Sequence, residues 1–150
     1  PWPPRQLGNL AVGTLVGLAV SWWLHDLGLA VAVVAAVILK RATERGARRW
    51  LRPHLPARVR PGTSEPNAVL RGADVPESGA SFPSGHVILV TAVGAVVWSG
   101  LPLQLLWIPW FLAAVVAVAR VYVGAHNPLD VVAGLGIGLA VGAVLDVVIR

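Results

Sequence analysis

The sequence predicts an all-α integral membrane protein with about five transmembrane helices, and three observations support this prediction. Of the 150 residues, 56 % are hydrophobic, and the mean hydropathy of +0.72 is too high for an ordinary soluble domain. Only 13 % of the residues are charged, and few of them interrupt the long apolar segments. With their flanks, those segments reach or approach the roughly 20 residues that an α-helix needs to cross a bilayer core. A soluble all-α core is disfavoured because so few charges interrupt the segments.

Five apolar segments define the predicted helices. They are residues 7–24, 27–39, 87–99, 103–119 and 131–149. The second segment is short, but residues 40–51 continue it with good helix formers, so we expect one long helix that extends beyond the membrane surface. The polar segment 54–82 has no clear periodicity and is predicted to be a loop.

The length of the chain suits a single domain, which we assign to residues 1–150. The sequence begins at Pro1 and contains no methionine, so we expect this domain to be part of a longer polypeptide. It also contains no cysteine, which excludes a disulfide framework and a thiolate metal site.

An up-and-down arrangement of the helices places the connections on two faces. Nearly all the arginines lie on the face that receives the N-terminus and the segments 40–83 and 120–127. Five tryptophans lie near the opposite face, as in an aromatic belt at a membrane interface: Trp22, Trp23, Trp98, Trp107 and Trp110.

The last apolar segment carries a stripe of small residues, Gly134, Gly138 and Gly142, spaced four apart. Such spacing lets two helices approach closely. Two uses are open: packing within the domain, which we favour, and a homodimer interface through these three glycines.

The first polar motif on the arginine-rich face ends the long second helix. Arg45 and Arg52 are seven residues apart, so both side chains leave the same side of the helix, and Pro53 explains why it stops. Taken alone, this motif is typical of a basic patch that binds anionic lipid headgroups.

The second motif is Pro83-Ser84-Gly85-His86, at the start of the third apolar segment. Ser84 can cap the helix, and Gly85 lets the backbone approach a ligand. The N–H groups at a helix start favour an anion, beside which His86 would stand. A plain helix cap is the alternative.

The third motif connects the last two apolar segments. Arg120 ends one segment, and His126 precedes the next. Asp130 follows His126 by four residues, close enough to accept a hydrogen bond from one imidazole nitrogen and leave the other outward, as a nucleophilic histidine needs. Alternatively, Asn127, Pro128 and Asp130 form a helix cap.

Together the three motifs resemble the type 2 phosphatidic acid phosphatase (PAP2) family, which shares its site with vanadium haloperoxidases. The family pattern is a basic residue, six residues and Arg-Pro; then Pro-Ser-Gly-His; then Ser-Arg, five residues, His, three residues and Asp. The order and the spacing match, with two departures: Arg45 replaces a usual lysine and Ala119 a usual serine. The family frame has six helices, so we expect the first one to precede Pro1.

The resemblance implies a membrane-embedded lipid phosphate phosphatase that needs no metal and no cofactor. His126 would be the nucleophile, oriented by Asp130, and would form a phosphohistidine, while His86 would act as general acid and base. The phosphate would be bound by Arg45, Arg52, Ser84, Gly85 and Arg120.

The substrates that the resemblance allows are phosphatidic acid, phosphatidylglycerol phosphate and polyprenyl phosphates or diphosphates. The expected partners are this lipid and the bilayer, with no nucleic acid. A non-catalytic lipid-phosphate-binding or scaffolding domain of a larger membrane protein is the alternative. A haloperoxidase is disfavoured, because those enzymes are typically soluble.

The location implied by the resemblance is a bacterial inner membrane. Two arguments disagree about the orientation of the site. The arginine-rich face favours the cytoplasm by the positive-inside rule. Bacterial members of the family usually turn this face outward, and some of the arginines serve phosphate binding. We favour the extracytoplasmic side.

Overall fold

Five α-helices of 14 to 25 residues form the fold in the part of the chain that the structure describes. The computed structural model describes residues 9–51, 59–64 and 80–149. The helices are α1 (Leu10–Trp23), α2 (Leu27–Leu51), α3 (Gly85–Trp98), α4 (Trp107–Tyr122) and α5 (Pro128–Ile149). Two short turns accompany them, an α-helical turn at Pro61–Ser64 and a 3-10 turn at Leu103–Leu105. No strand occurs in these ranges, where the one extended contact is an isolated antiparallel bridge between Val59 and Ala80. The predicted all-α class is confirmed.

The five helices correspond to the five predicted segments but differ in length. In the described ranges, Leu103–Tyr122 and Pro128–Ile149, with 20 and 22 residues, are long and apolar enough to cross a membrane. Helices α1 and α3 are apolar but have 14 residues each, or about 21 Å. Helix α2 has 25 residues and becomes charged from Lys40 onward, as predicted for a helix that leaves the membrane.

Short polar side chains fix where the helices begin. The side chain of Asn9 accepts a hydrogen bond from the N–H of Ala11 at the start of α1. Asp26 Oδ1 accepts from the N–H of Leu29 at 2.8 Å and so caps α2. The preceding residue, His25, has a φ of 53°, which turns the chain sharply between α1 and α2.

Helix α3 lies at the centre of the bundle. It packs against each of the other four helices, and most extensively against α5. Its side chains are buried on most sides, as expected for a helix that is apolar all round. The main core joins α2, α3 and α5; its fully buried members include Leu29, Ala32, Val33, Ala36, Leu89, Ala92 and Val96.

Four exposed tryptophans gather at one end of the bundle, whereas a further one, Trp50, is exposed near the end of α2 at the other. Trp22 and Trp23 end α1, Trp98 ends α3, and Trp107 begins α4, and all four side chains are exposed. His86 lies at the other end of α3, so the two predicted faces are separated by the length of the bundle.

The glycine stripe of α5 faces α3. A Cβ at Gly138 would lie 2.7 Å from Thr91 Cβ and 2.8 Å from the carbonyl oxygen of Ile88. A Cβ at Gly134 would lie 2.9 Å from the carbonyl oxygen of Ser84, and one at Gly142 would collide with Ala95. The favoured use of the stripe, packing within the domain, is confirmed. A homodimer through these glycines is corrected, because α3 already occupies their surface.

Replacing Gly138 by leucine is expected to destabilise the fold, because the added side chain meets the backbone and Thr91 of α3. Overpacking of this kind costs about 1–3 kcal/mol, and we expect a lower midpoint of thermal unfolding in detergent. Gly136→Leu is the matched control, since a Cβ there has nothing within 4 Å. Equal unfolding midpoints for the two variants would contradict the packing described above.

Candidate active site

The N-termini of α3 and α5 meet at the arginine-rich end of the bundle. The backbone N–H of Ser84 donates a hydrogen bond to the carbonyl oxygen of Asp130 at 3.0 Å. This bond joins the second and third sequence motifs directly. It places His86, in the first turn of α3, beside the loop that carries His126.

The ring of His126 is buried, and a backbone carbonyl orients it. Its Nδ1 lies 2.8 Å from the carbonyl oxygen of Ser81. A carbonyl only accepts, so Nδ1 carries the proton and donates it, and Nε2 keeps its lone pair. The ring therefore has the tautomer that a nucleophilic Nε2 requires.

Asp130 has a different position from the predicted one. Its Oδ2 lies 3.8 Å from Nδ1 of His126, which is too long for a hydrogen bond. The same oxygen accepts from the N–H of Asn127 at 2.9 Å and so caps α5. The expectation that Asp130 receives the imidazole proton is corrected, because the Ser81 carbonyl stands closer. Asp130 supplies a fully buried negative charge beside the ring.

The surroundings of His126 keep the ring neutral. Burial, followed by the charges of Arg120 and Arg60, lowers the pKa of His126 from 6.5 to about 4. Asp130 and the hydrogen bond with Ser81 act in the opposite direction. Near neutral pH the imidazole is therefore uncharged, which is the form that can attack an electrophile.

Arg120 lies at the candidate site, and its backbone carbonyl holds the loop between α4 and α5 in place. Its side chain is buried at the end of α4. Its carbonyl oxygen accepts from the N–H groups of Ala125 at 3.2 Å and His126 at 3.3 Å, which folds the loop back over α4. Gly124, with a φ of 77°, supplies the left-handed turn that this path requires.

Arg60 is a site residue that the sequence analysis did not identify. Its Nη1 donates to the carbonyl oxygen of Ala125 at 2.8 Å, next to His126. The bridge between Val59 and Ala80, with a hydrogen bond of 3.3 Å from Ser81 Oγ to the carbonyl of Val59, holds Arg60 there. This contact joins residues 65 apart, and nothing in the spacing distinguishes Arg60 from neighbouring arginines.

Ser84 departs from its predicted role. It occupies the N-cap position of α3, but its side chain makes no capping hydrogen bond. Its backbone N–H donates to the carbonyl oxygen of Asp130. Its Oγ is fully buried and has no hydrogen-bond partner in the described part of the chain. Such a buried hydroxyl costs about 1–3 kcal/mol, which a ligand oxygen at this position would offset.

Gly85 is required by the approach of α2. A Cβ at Gly85 would collide with the carboxylate of Glu44 and would lie 3.2 Å from Cε of Lys40. Lys40 Nζ and Glu44 Oε2 form an ion pair of 3.1 Å, and both side chains are largely buried. Lys40 also acts electrostatically on His86. The four-residue spacing of Lys40 and Glu44 was the signal available in the sequence.

The first motif is only partly described. Arg45 is exposed on α2, on the side that also carries the exposed Ile38 and Arg41. Arg52 and Pro53 lie outside the described residues. The charges that act on both histidines are those of Arg60 and Arg120, and Lys40 joins them at His86. In the ranges that the structure describes, no three His, Asp or Glu side chains form a metal-binding group.

Comparison with known proteins identifies the family. The model of the PAP2 superfamily matches residues 21–149. The chain belongs to the PAP2 superfamily. The match spans all three motifs and all of α2 to α5, so the resemblance stated from the motifs is confirmed.

Two relatives are named as phosphatases. The decaprenylphosphoryl-5-phosphoribose phosphatase of Mycobacterium tuberculosis is 33 % identical over 128 residues, which cover 84 % of this chain and 60 % of that protein. The undecaprenyl-diphosphatase of Sulfolobus acidocaldarius is 46 % identical over 59 residues, or 39 % of this chain and 28 % of that protein. The chain thus spans at most about 60 % of the length of these curated relatives.

A solved structure shares the fold. The transmembrane PAP2 type phosphatidylglycerolphosphate phosphatase from Bacillus subtilis superposes with a TM-score of 0.69 and 23 % identity, covering 95 % of this chain and 71 % of that one. The five helices therefore have the arrangement of a known transmembrane bundle. The predicted fold, a helical bundle of the transmembrane PAP2 type, is confirmed.

The state of His126 can be tested directly by NMR of protein labelled with ¹⁵N-histidine, with His126→Gln used to assign its signals. At pH 6 the ring is expected to be neutral and protonated at Nδ1, because its pKa is lowered to about 4. Protonation should set in only as the pH falls towards that value. Arg60→Gln should raise the pKa, since it removes a cation that disfavours the charged ring, whereas Arg41→Gln, exposed on α2, should not.

A His126 ring that is charged at pH 6, or protonated at Nε2, would contradict the geometry described above. An equal response to the two arginine substitutions would contradict the place assigned to Arg60.

Proposed function

We propose that the protein is a lipid phosphate phosphatase that acts through a phosphohistidine intermediate on His126. The observation that carries this proposal is the hydrogen bond from Nδ1 of His126 to the Ser81 carbonyl, which leaves the Nε2 lone pair available beside Arg120 and Arg60. The family and the names of two relatives support phosphate ester or anhydride hydrolysis.

In the first step, Nε2 of His126 attacks phosphorus, and the bond from phosphorus to the leaving oxygen breaks. His86, which is protonated when the phosphate anion of the substrate lies beside it, donates that proton to the departing oxygen. Arg120, with Arg60 and Lys40, neutralises the charge on the phosphoryl oxygens, and the free hydroxyl of Ser84 donates to one of them. We retain Arg52 and Arg45 as further phosphate ligands, on the strength of the motif alone.

In the second step, His86 takes a proton from a water molecule that attacks phosphorus, and the bond between phosphorus and Nε2 breaks. Phosphate leaves, and both histidines return to their starting states. Asp130 stabilises the positive charge that His126 carries while it is phosphorylated, because its carboxylate lies 3.8 Å from Nδ1. The role of Gly85 is to keep the start of α3 open to the phosphate.

The proposed substrate is a lipid that carries a phosphate at the membrane surface. Two relatives are named for decaprenyl and undecaprenyl lipids and the structural match for phosphatidylglycerolphosphate. Polyprenyl phosphates or diphosphates, phosphatidic acid and phosphatidylglycerol phosphate are therefore the panel to test. A non-catalytic domain is disfavoured, because His86, His126 and Asp130 are all present and meet at one helix junction.

For the location, we propose the bacterial plasma membrane, with the site on the extracytoplasmic side. A cysteine placed at the exposed Ser64 and treated with an impermeant reagent in intact cells distinguishes this side from the cytoplasmic one.

Replacing His126 by alanine is expected to abolish phosphate release, since no other group supplies the attacking nitrogen. Activity should fall below about 1 % of the parent value, whereas lipid phosphate binding persists through the cations. The assay measures phosphate released from the lipid panel by purified protein in excess EDTA.

The matched control is His25→Asn, which removes an exposed histidine at the opposite end of the bundle. Asparagine tolerates the positive φ of 53° at this position. This variant should retain full activity. Substantial turnover by His126→Ala would contradict the assignment of His126 as the nucleophile. Loss of the parent protein's activity in EDTA would indicate metal-dependent chemistry instead.

A further inference from the structure

An apolar groove runs along the bundle between α1 and α4, and α3 forms its floor. It encloses about 240 Å³. Val16 and Val20 of α1 form one wall, Leu105 and Leu112 the other, and Val90 and Val97 the floor. All the residues that line the groove in the described part of the chain are apolar or glycine. The groove therefore suits a hydrocarbon. Trp23, at the end of α1 away from the site, is the one lining residue in the described part of the chain whose side chain can donate a hydrogen bond.

The floor of the groove is continuous with the face of α3 that carries His86. Val90 lies four residues after His86, and Val97 lies eleven residues after His86. The three side chains therefore leave the same side of the helix. His86 and Val90 are partly exposed, whereas the three residues between them are buried. The side of α3 that opens at the phosphate site thus also opens into the groove.

The wall contributed by α4 ends short of the site. Leu112 is its last lining residue towards Arg120, which follows eight residues later, and Val116 between them is fully buried in the core beside Val87 and Val131. The groove therefore approaches the site along α3, through Val90. From Val90 to Val97 the floor extends for about 10 Å.

We infer that this groove binds the isoprenoid chain of a polyprenyl phosphate whose phosphate lies at His86 and His126. The inference rests on the proposed function and narrows its substrate class. In a prenyl phosphate, hydrocarbon begins directly at the ester oxygen, and the apolar floor begins at Val90, about 6 Å below His86.

A glycerolipid fits this depth less well. It places a glycerol and two carboxylic esters between the phosphate and its acyl chains. Those polar groups would lie at the level of Val90, where the described lining offers no hydrogen-bond donor, and burying them there is unfavourable. A diacyl lipid would also have to leave one of its two chains outside a single groove.

The test places a larger side chain at the edge of the groove. Val16 is 42 % exposed and lines the groove, so Val16→Trp narrows the groove with little risk to folding. Leu15→Trp is the matched control, because Leu15 is the neighbouring residue, is 66 % exposed and lies outside the lining. Leu112→Phe, on the opposite wall, is the second variant if Val16→Trp does not fold.

The substrates are dimethylallyl phosphate, with one isoprene unit, farnesyl phosphate, with three, and phosphatidic acid. Val16→Trp should raise the KM for farnesyl phosphate about tenfold or more and leave the KM for dimethylallyl phosphate unchanged, because each buried methylene contributes about fourfold to binding. Leu15→Trp should change neither value. Equal effects of Val16→Trp on both prenyl phosphates would overturn the inference, as would an equal loss with phosphatidic acid.

Crosslinking separates this inference from the proposed function. A farnesyl phosphate analogue with a benzophenone on its chain, bound to the parent protein and irradiated, should label peptides of α1, α3 or α4. Labelling there without any phosphate release would support the groove and reject the phosphatase. Phosphate release with labelling confined to α2 would support the phosphatase and reject the groove.

Discussion

The close packing of α3 against α5 is the constraint on which the site depends. Without side chains at Gly134, Gly138 and Gly142, the two helices approach until backbone and side-chain atoms of α3 fill that space. At their shared end the N–H of Ser84 then reaches the carbonyl of Asp130. A bulkier stripe would separate the helix starts, and with them the two histidines. The glycines that shape the core therefore also set the separation of the two helix starts that carry the candidate site.

Cations from distant parts of the chain surround these helix starts, and their charge has a chemical consequence for His126. Arg120, Arg60 and Lys40 come from α4, the segment before Pro61 and α2, respectively. The burial of the His126 ring and the charges of Arg120 and Arg60 disfavour a positive charge on that ring. The cations proposed to bind the phosphate thus also keep His126, the proposed nucleophile, neutral.

Sequence reasoning was most accurate where a local pattern determines structure. Apolar segments and motif spacing predicted the five helices, the helix starts at Ser84 and Asn127, and the proximity of His126 to Asp130. It did not find the Ser81 carbonyl or Arg60, because both act through contacts between residues far apart in the chain. It also assigned the imidazole proton to Asp130, since four-residue spacing does not reveal that a backbone carbonyl stands closer.

The measurement that tests the central claim most directly is chemical identification of the phosphorylated residue. Parent protein mixed with a ³²P-labelled lipid phosphate and quenched in alkali should carry the label on a peptide that contains His126. The label should be stable in base and lost in acid, as a phosphohistidine is, and absent from His126→Ala. Acid-stable label on Ser84, whose buried hydroxyl is the alternative nucleophile, or turnover with no labelled intermediate at any quench time, would contradict the account.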